Sequence, residues 1–379
     1  MSQRTVARAQ LTISPRTTFR GRQPDFAGTP AELRASGDRE VRLLVARPEG
    51  IRHQQFSDLA EELNPGDALV VNTSATVPGE IDGLWLSHRG PVDVVFHAAT
   101  QLRHREWVVE LRSAPDAAAP ILDAEPGQRI QLASRVAVQL VAPYPDRGSP
   151  TGAGNRLWRA HVRGNLRRLL NRRGRPIAYG YLAQRWPLST YQTVFSQHPG
   201  SAEMASAARP FTAELVQRLR QRGVRIAPIL LHTGVSSQEA GEPPQPEWFE
   251  VPERTARLLN QVRADAGRVV AVGTTATRAL ESAARAGRVR AQRGWTERIV
   301  TTAQPPEIVD GLVTGWHDAG ASHLLLVEAV AGAELTQQAY DAALGSGYVW
   351  HEFGDSALFL PGRGGRSGGV GRTRGVGRT

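Results

Sequence analysis

The chain of 379 residues contains no cysteine, which excludes disulfides, thiolate nucleophiles, iron–sulfur clusters and the common structural zinc sites. Lysine is also absent, so all 46 basic residues are arginine, and neither a Schiff-base lysine nor a P-loop lysine is available. No apolar run approaches the roughly 18 residues that cross a bilayer, and the N-terminus has no apolar signal core. These absences predict a cytoplasmic protein without a membrane partner that uses oxygen and nitrogen chemistry.

The positive charge is concentrated near the C-terminus. The formal net charge is +10, and residues 362–379 contain five arginines and no acid. This glycine- and arginine-rich composition predicts a disordered tail. The tail is either a salt-sensitive RNA-binding appendage or an inert extension, and its composition leaves both open. Residues 1–25 are predicted to form a flexible leader.

Two regions with different secondary-structure patterns, together with the chain length, predict two domains. Within residues 81–180, five short strand candidates alternate with glycine and proline turns, which is typical of a small antiparallel β-barrel. From about residue 200 onward, strands alternate with helical patterns, which favours an α/β layer with a largely parallel sheet. The predicted fold class is α/β: a layered catalytic domain formed by residues 26–80 and 181–361, with an inserted small antiparallel β-barrel at 81–180.

Capping residues predict where several helices begin and end. Thr212 is expected to cap a helix that Gly223 ends. Asn165 is expected to cap a short basic helix closed by Gly174. A third helix is predicted over residues 277–286, stopped by the glycine at 287.

The strongest local feature is a buried strand that passes through Gly273, Thr274 and Thr275 into a helix. Unpaired backbone N–H groups at such a helix start can bind a carboxylate or a phosphate. The same pattern also fits an ordinary helix entry, and Arg278 and Glu281 fit a surface pair at i and i+3. Physical reasoning alone leaves these interpretations open.

Two histidines follow apolar strands, where ligands bind in parallel sheets. His232 follows the strand that ends at Leu231, and His317 follows the strand at 311–314. A single histidine in this position is often structural. His317 and His323 lack a third ligand at any recognisable spacing, so we predict no metal site.

A run of arginines without an acid extends from residue 156 to residue 175. It is either a phosphate-binding face or a solvated basic face. As a nucleic-acid interface, its candidate residues are Arg159, Arg163, Arg167, Arg168, Arg172 and Arg173.

Motifs spread over residues 26–361 stand in a characteristic order. They include Leu-Asn-Pro-Gly-Asp at 63–67, Tyr-Gln-Thr-Val-Phe at 191–195, Leu-His-Thr-Gly at 231–234, Ala-Val-Gly-Thr-Thr at 271–275 and Phe-Gly-Asp at 353–355. Together they resemble the S-adenosylmethionine:tRNA ribosyltransferase-isomerase family of queuosine biosynthesis. The order of several motifs is more specific than any one of them.

The resemblance implies an α/β domain with an inserted barrel, and it implies a reaction. The ribosyl moiety of S-adenosylmethionine, the co-substrate, is transferred to the 7-aminomethyl-7-deazaguanine base of tRNA and rearranged to an epoxycyclopentane, with release of adenine and methionine. No metal is expected, tRNA is the expected partner, and a monomer is favoured. Implied donor-binding residues are Asn72, Tyr191, Gln192, Gly273, Thr274, Thr275, Arg278 and Glu281, and implied proton-transfer residues are His232, His317 and Asp355.

This chain also departs from the family pattern. Where the family carries an arginine, this chain has Glu80, and the segment 176–181 reads Pro-Ile-Ala-Tyr-Gly-Tyr instead of Pro-Leu-Pro-Pro-Tyr-Ile. The departures leave two alternatives open. One is a paralogue that transfers from S-adenosylmethionine to a small-molecule acceptor, and the other is a non-catalytic RNA-binding protein on the same scaffold.

Overall fold

The computed structural model describes residues 13–19, 23–34, 40–144, 154–235, 244–296 and 298–362. Its strands are β1 (Asp25–Phe26), β2 (Arg42–Arg47), β3 (Gly50–Gln55), β4 (Ala68–Asn72), β5 (Ser74–Thr76), β6 (Glu80–Ser87), β7 (Gly90–Arg103), β8 (Glu106–Ser113), β9 (Arg129–Ala133), β10 (Val136–Pro143), β11 (Leu157–Arg163), β12 (His198–Ser201), β13 (Arg225–His232), β14 (Trp248–Val251), β15 (Val269–Val272), β16 (Ala284–Arg285), β17 (Arg288–Val289), β18 (Gln292–Trp295), β19 (Gly311–Gly315), β20 (Val349–Trp350) and β21 (Ser356–Phe359). Its α-helices are α1 (Leu59–Glu62), α2 (Leu166–Arg173), α3 (Ala213–Gln221), α4 (Glu253–Ala264), α5 (Thr274–Ser282), α6 (Ser322–Ala331) and α7 (Ala333–Gly345).

The α/β domain is built on one mixed sheet of nine strands. Their order is β18-β14-β13-β4-β15-β19-β21-β2-β3. Strands β13, β4, β15 and β19 are parallel neighbours. Their carboxyl ends therefore meet at one edge of the sheet, and the loops that follow them share that edge.

Alternate residues of the central strands pack on opposite faces of this sheet. Val70 and Ala271 belong to a buried core shared with α4, α5, α6 and α7. Leu69 and Val270 belong to a second core shared with α1 and α3. Because both faces are covered, the central strands carry continuous apolar runs rather than alternating apolar and polar residues, as in Ala68–Val71 and Val269–Val272.

The inserted domain is a closed barrel with the strand order β10-β11-β8-β7-β6-β9, and its neighbouring strands are all antiparallel. The predicted fold class, an α/β layered domain with an antiparallel barrel, is confirmed. The barrel has six strands rather than the five expected, because β6 was not predicted. Its Asp82-Gly83 pair has the composition of a turn. In the structure Gly83 lies within the strand and pairs with Val94 of β7. A Cβ at this position would come 2.8 Å from Leu132 Cδ2 of the neighbouring strand β9.

A buried ion network crosses the barrel. The fully buried carboxylate of Glu110 accepts hydrogen bonds from Arg112 Nη1 at 2.7 Å and from Arg156 Nη1 at 3.0 Å. His97 lies between Glu110 and Glu80, with each ring nitrogen 3.1 Å from one carboxylate. Two further arginines, Arg175 and Arg185, pair with Glu80. The buried carboxylate of Glu80 is therefore held by two arginines and by the His97 ring.

The predicted caps begin two helices as expected. Thr212 Oγ1 accepts from the backbone N–H of Leu215, at the start of α3, and Asn165 Oδ1 accepts from Arg168 N–H, at the start of α2. The predicted bounds 277–286 are wrong for α5. The helix begins three residues earlier, because Gly273 takes a φ of +91° as its N-cap, and it ends before the β16–β17 hairpin. No helix among the described residues is long and apolar enough to span a membrane.

Replacing Thr212 with alanine is expected to lower the free energy of unfolding by about 1 kcal/mol, since an N–H of the first turn of α3 loses its partner. Urea unfolding of the variant measures this loss. Gln217→Glu, an exposed change further along α3, is the control and should have a smaller effect. Equal stability of Thr212→Ala and the wild type would contradict the capping role.

Part of the predicted flexible leader is packed against the α/β domain. Thr17 is buried, and its backbone N–H and hydroxyl both donate to Glu328 Oε1 at 2.7 Å. Phe19 stacks on Tyr340 with 5.6 Å between ring centroids. Hydrogen bonding and stacking therefore hold residues 13–19 against α6 and α7, which corrects the prediction for this stretch. Residues 1–12 and 20–22 of the leader, and 363–379 of the tail, lie outside the described residues.

Candidate active site

A cavity of about 520 Å³ lies at the carboxyl ends of β13, β15 and β19, where the α/β domain meets the barrel. Its volume is in the range of small-molecule sites, about 300–1,000 Å³. Its wall combines polar and apolar groups. The charged or aromatic polar residues that line it are Arg112, Tyr179, Tyr181, Glu203, Glu247, Arg278, His317, Asp318, His323, His351 and Glu352.

The start of α5 forms one side of this cavity. Gly273, Thr274 and Thr275 all line it, and no side chain in the described part of the protein caps the helix. The first backbone N–H groups of a helix have no partner within the helix and carry partial positive charge. The structure thus brings the predicted Gly-Thr-Thr turn to the cavity, in an arrangement that suits an anionic group.

Arg278 lies one turn further along α5 and is buried in the cavity wall. Its Nη1 donates to Glu247 at 2.7 Å, and its Nη2 donates to the Gln245 carbonyl at 2.7 Å and to Thr296 Oγ1 at 3.0 Å. Burial lowers the pKa of Arg278 and raises the pKa of Glu247, and the attraction between the two partly offsets both shifts. At the cavity, the positive charge of Arg278 is therefore balanced by the carboxylate of Glu247.

Glu281 is not the surface partner of Arg278 that its spacing allowed. It is 1% exposed and turns away from the cavity. Its carboxylate accepts backbone N–H groups of Glu307, Ile308 and Val309 at 2.7–2.9 Å. Glu281 therefore fixes the loop that precedes β19, and we do not retain it as a donor-binding residue.

His317 lines the cavity just beyond the end of β19. Its Nε2 lies 3.0 Å from Thr314 Oγ1, its backbone N–H donates to the Tyr340 hydroxyl, and its ring stacks on His323 with 4.8 Å between centroids. Burial, with smaller contributions from His323 and His351, lowers the pKa of His317 well below its ordinary value. Burial also lowers the pKa of His323 to about 4. Both rings are neutral at pH 7, so His317 is able to accept a proton.

Two tyrosines that sequence reasoning missed, Tyr179 and Tyr181, also line the cavity. The Tyr179 hydroxyl donates to Glu203, and the Tyr181 hydroxyl donates to Glu352. Burial, followed by the neighbouring carboxylates, raises the pKa of both tyrosines well above its ordinary value, so both hydroxyls remain donors. The available signal was the spacing of the tyrosines, because residues i and i+2 of an extended chain face the same side.

Three predicted donor-binding residues lie outside the cavity lining and have structural contacts. Asn72 is fully buried; it accepts from Leu231 N–H and donates to the Leu231 carbonyl, which joins β4 to β13. The Gln192 side chain bonds both backbone groups of Thr76. Tyr191 is buried against Phe353. These contacts shape the chain around the site without presenting the three side chains to it.

Two of the three proton-transfer candidates are also outside the lining. His232 Nδ1 lies 2.7 Å from Ser74 Oγ, and the ring packs on the backbone of Gly200. Asp355 is 1% exposed, pairs with Arg42 at 2.7 Å and accepts the backbone N–H of Val349. Of the three, the structure brings only His317 to the cavity.

The predicted basic residues lie mostly on the exterior of the barrel and on α2. Arg163, Arg167, Arg168, Arg172 and Arg173 are exposed, whereas Arg159 is half-buried and 3.9 Å from Glu106. Both ends of the arginine run, Arg156 and Arg175, belong to the buried network instead.

Additional arginines adjoin this face through the barrel turns. The Arg105 carbonyl accepts the backbone N–H of Val162, and the Arg135 carbonyl lies against Gly164. We call the resulting surface the basic end of the barrel; it consists of Arg103, Arg105, Arg135, Arg163, Arg167 and Arg168. Sequence reasoning missed the first three, because they are far from the run along the chain.

No group of three or more His, Asp or Glu side chains that could hold a metal ion is present among the described residues. Fold and cavity together define an α/β enzyme whose polar site lies between a layered domain and an inserted barrel. The chain belongs to the family of queuosine biosynthesis proteins, whose model matches residues 22–359.

Individual relatives cover nearly the same span. The S-adenosylmethionine:tRNA ribosyltransferase-isomerase of Symbiobacterium thermophilum is 34% identical over 346 residues, 87% of this chain and 97% of that protein. The enzyme of the same name from Thermus thermophilus is 34% identical over 84% of this chain and 92% of its own length. A crystal structure of an S-adenosylmethionine tRNA ribosyltransferase from Thermotoga maritima is 25% identical, with a TM-score of 0.47 over 88% of this chain and 96% of that one.

Proposed function

We propose that the protein transfers the ribosyl moiety of S-adenosylmethionine to the 7-aminomethyl-7-deazaguanine base of tRNA and isomerises it to epoxyqueuosine, releasing adenine and methionine. The observation that carries this proposal is the cavity at the strand ends, with an uncapped helix start on one side and a neutral histidine beside it. The names of the relatives support the donor and the RNA acceptor.

The cavity offers a complement to each part of S-adenosylmethionine. The N–H groups at the start of α5 suit the methionine carboxylate. The carboxylates of Glu203 and Glu352 suit the positive charge of the sulfonium and ammonium groups. The rings of Tyr179 and Tyr181, 6.3 Å apart and inclined by 16°, give the wall aromatic edges against which a purine can pack.

His317 is the proposed base. The sulfonium acidifies the adjacent C5′ hydrogens and makes methionine a good leaving group, so the protein chiefly has to supply a base and hold the reactants in place. A neutral imidazole in a desolvated wall is able to take that proton. Burial lowers the pKa of His317, which keeps the ring neutral and available as a proton acceptor at pH 7.

Adenine release from S-adenosylmethionine tests the proposed function. Wild-type protein should release adenine when it is given tRNA that carries the aminomethyl base, and much less with tRNA that lacks this base. Calorimetry should show tight binding of S-adenosylmethionine alone. Absence of both binding and adenine release would favour the non-catalytic RNA-binding alternative and contradict the proposal.

The basic end of the barrel supports an RNA acceptor rather than a small molecule. It presents arginines on several turns at one pole of the barrel, and Arg167 also lies over the Trp107 ring at 5.9 Å. Arginine is the side chain best suited to phosphate contacts. A gel shift with tRNA at low and moderate salt separates the two acceptors, because absence of a shift at both would favour the small-molecule alternative.

Neutralising Arg167 and Arg168 together, as Arg167→Gln/Arg168→Gln, is expected to weaken tRNA binding. It should also make the plot of log affinity against log salt concentration shallower by about one for each phosphate that is no longer neutralised. Filter binding over a salt series measures both effects. Arg257→Gln, which alters an exposed arginine on α4 paired with Glu253, is the matched control. An unchanged salt dependence in the double variant would exclude these two arginines from the RNA interface.

A further inference from the structure

A second histidine in the cavity, His351, has an unusual backbone. Five described residues other than glycine have φ between +51° and +70°, and His351, at +70°, is the only one of them that lines the cavity. Side chains are disfavoured in this left-handed region, and residues held there are concentrated at functional sites. The conformation of His351 therefore points to a function for its imidazole in the cavity.

The imidazole of His351 is held by contacts on more than one side. It stacks on Phe26 with 4.6 Å between centroids and on Tyr181 with 4.8 Å, and both interplanar angles are close to 20°. Tyr181 is itself hydrogen-bonded to Glu352. The ring is therefore oriented before any ligand binds, which is the condition for efficient proton transfer.

A carboxylate stands beside this ring. His351 Nε2 lies 3.8 Å from Asp318 Oδ2. Asp318 directly follows His317 in the sequence, and the side chains of His317, Asp318 and His351 all line the cavity. The two histidines therefore have different surroundings. His317 stacks on the neutral ring of His323, whereas His351 lies beside the carboxylate of Asp318.

We propose that His351, assisted by Asp318, is the general acid that protonates adenine as it leaves. This assignment rests on the proposed function. In the step, the imidazolium N–H bond breaks and an N–H bond forms on the purine. The C1′–N9 electron pair departs with the adenine, which leaves as a neutral base. The acceptor amine then supplies the electron pair of the new bond to C1′, and the proton that this amine loses restores the imidazolium.

We assign the base and the acid to different residues because the reaction removes a proton at C5′ and adds one to adenine. Two separate groups allow one to take the C5′ proton while the other delivers a proton to adenine, so that neither imidazole has to serve both positions. The described cavity wall offers this pairing at His317 and His351. Adenine is a poor leaving group as an anion, so loss of the acid should slow glycosidic cleavage specifically.

The test compares His351→Asn with the wild type on two donors, S-adenosylmethionine and its 2-fluoroadenine analogue, with tRNA carrying the aminomethyl base. Asparagine tolerates the left-handed backbone but cannot act as a general acid. We expect adenine release by His351→Asn to fall by about 10²–10⁴-fold, with the affinity for S-adenosylmethionine unchanged. Most of this loss should be recovered with the fluorinated donor, whose base leaves more easily without a proton.

Asp318→Asn provides a second variant, since its side chain is 54% exposed and the change carries little risk for folding. It should show a smaller loss, again reduced with the fluorinated donor. Equal losses on both donors, or no loss, would overturn the assignment while leaving the proposed function intact. Failure of the wild type to release either base would overturn the proposed function and this assignment together.

Discussion

Replacing Glu110 with glutamine is expected to lower the free energy of unfolding by about 3–5 kcal/mol, the loss typical of removing one partner from a buried ion pair. Burial alone would raise the pKa of Glu110, but Arg156, His97 and Arg112 together lower it well below its usual range. The change leaves Arg112 and Arg156 inside the barrel without their shared carboxylate. Urea unfolding at neutral pH measures the loss.

The control for this change is Glu253→Gln, which removes an exposed carboxylate paired with Arg257 on α4 and should cost about 0.5 kcal/mol or less. The double variant Glu110→Gln/Arg156→Gln should recover part of the lost stability, because it also removes the guanidinium of Arg156, which is left without a carboxylate in the single variant. Since the pKa of Glu110 is lower in the folded protein than its ordinary 4.5, the stabilisation is complete above that pH and declines as the pH falls below it. A Glu110→Gln variant as stable as the control variant would show that the network contributes nothing.

Replacing His317 with glutamine is expected to reduce the rate of adenine release by about 10²–10⁴-fold, the usual contribution of a general base. The affinity for S-adenosylmethionine should stay the same, since the ring acts on a proton rather than holding the donor. Single-turnover adenine release, together with calorimetry, separates the two quantities. His198→Gln, an exposed histidine outside the cavity lining, is the matched control.

The pH dependence gives an independent check on His317. The base must be neutral to act, and burial lowers its pKa well below 6.5, so activity should persist as the pH falls past the ordinary histidine range. The acid limb of kcat/KM against pH is therefore expected below 6.5. An acid limb at or above 6.5, or undiminished activity in His317→Gln, would remove His317 from the mechanism.

Features of the fold that have local physical causes could be predicted from the sequence alone. The cap at Thr212 and the apolar spacing of α3 predict that helix without knowledge of the fold. Strand β6, which was not predicted, shows the limit: its Gly83 packs against Leu132 of the neighbouring strand β9, a residue far away in the sequence. Contacts between distant residues are not visible in the order of the chain.

The same distinction applies to the site. The Gly-Thr-Thr turn and His317 were predictable, since both follow strands whose carboxyl ends must converge. The positions of Asp355 and Glu281 within motifs gave no information on the direction of their side chains, and both are buried among structural partners. His351 and Glu352 come from a turn without a regular pattern, so only the folded chain brings them to the cavity.

The most direct test of the central claim follows the nucleoside itself. Wild-type protein is incubated with S-adenosylmethionine labelled in its ribose carbons and with tRNA carrying 7-aminomethyl-7-deazaguanine, and the digested tRNA is analysed by mass spectrometry. The account predicts a labelled epoxyqueuosine nucleoside together with one adenine and one methionine for each base modified. Recovery of the unmodified base alone, with the donor intact, would contradict it.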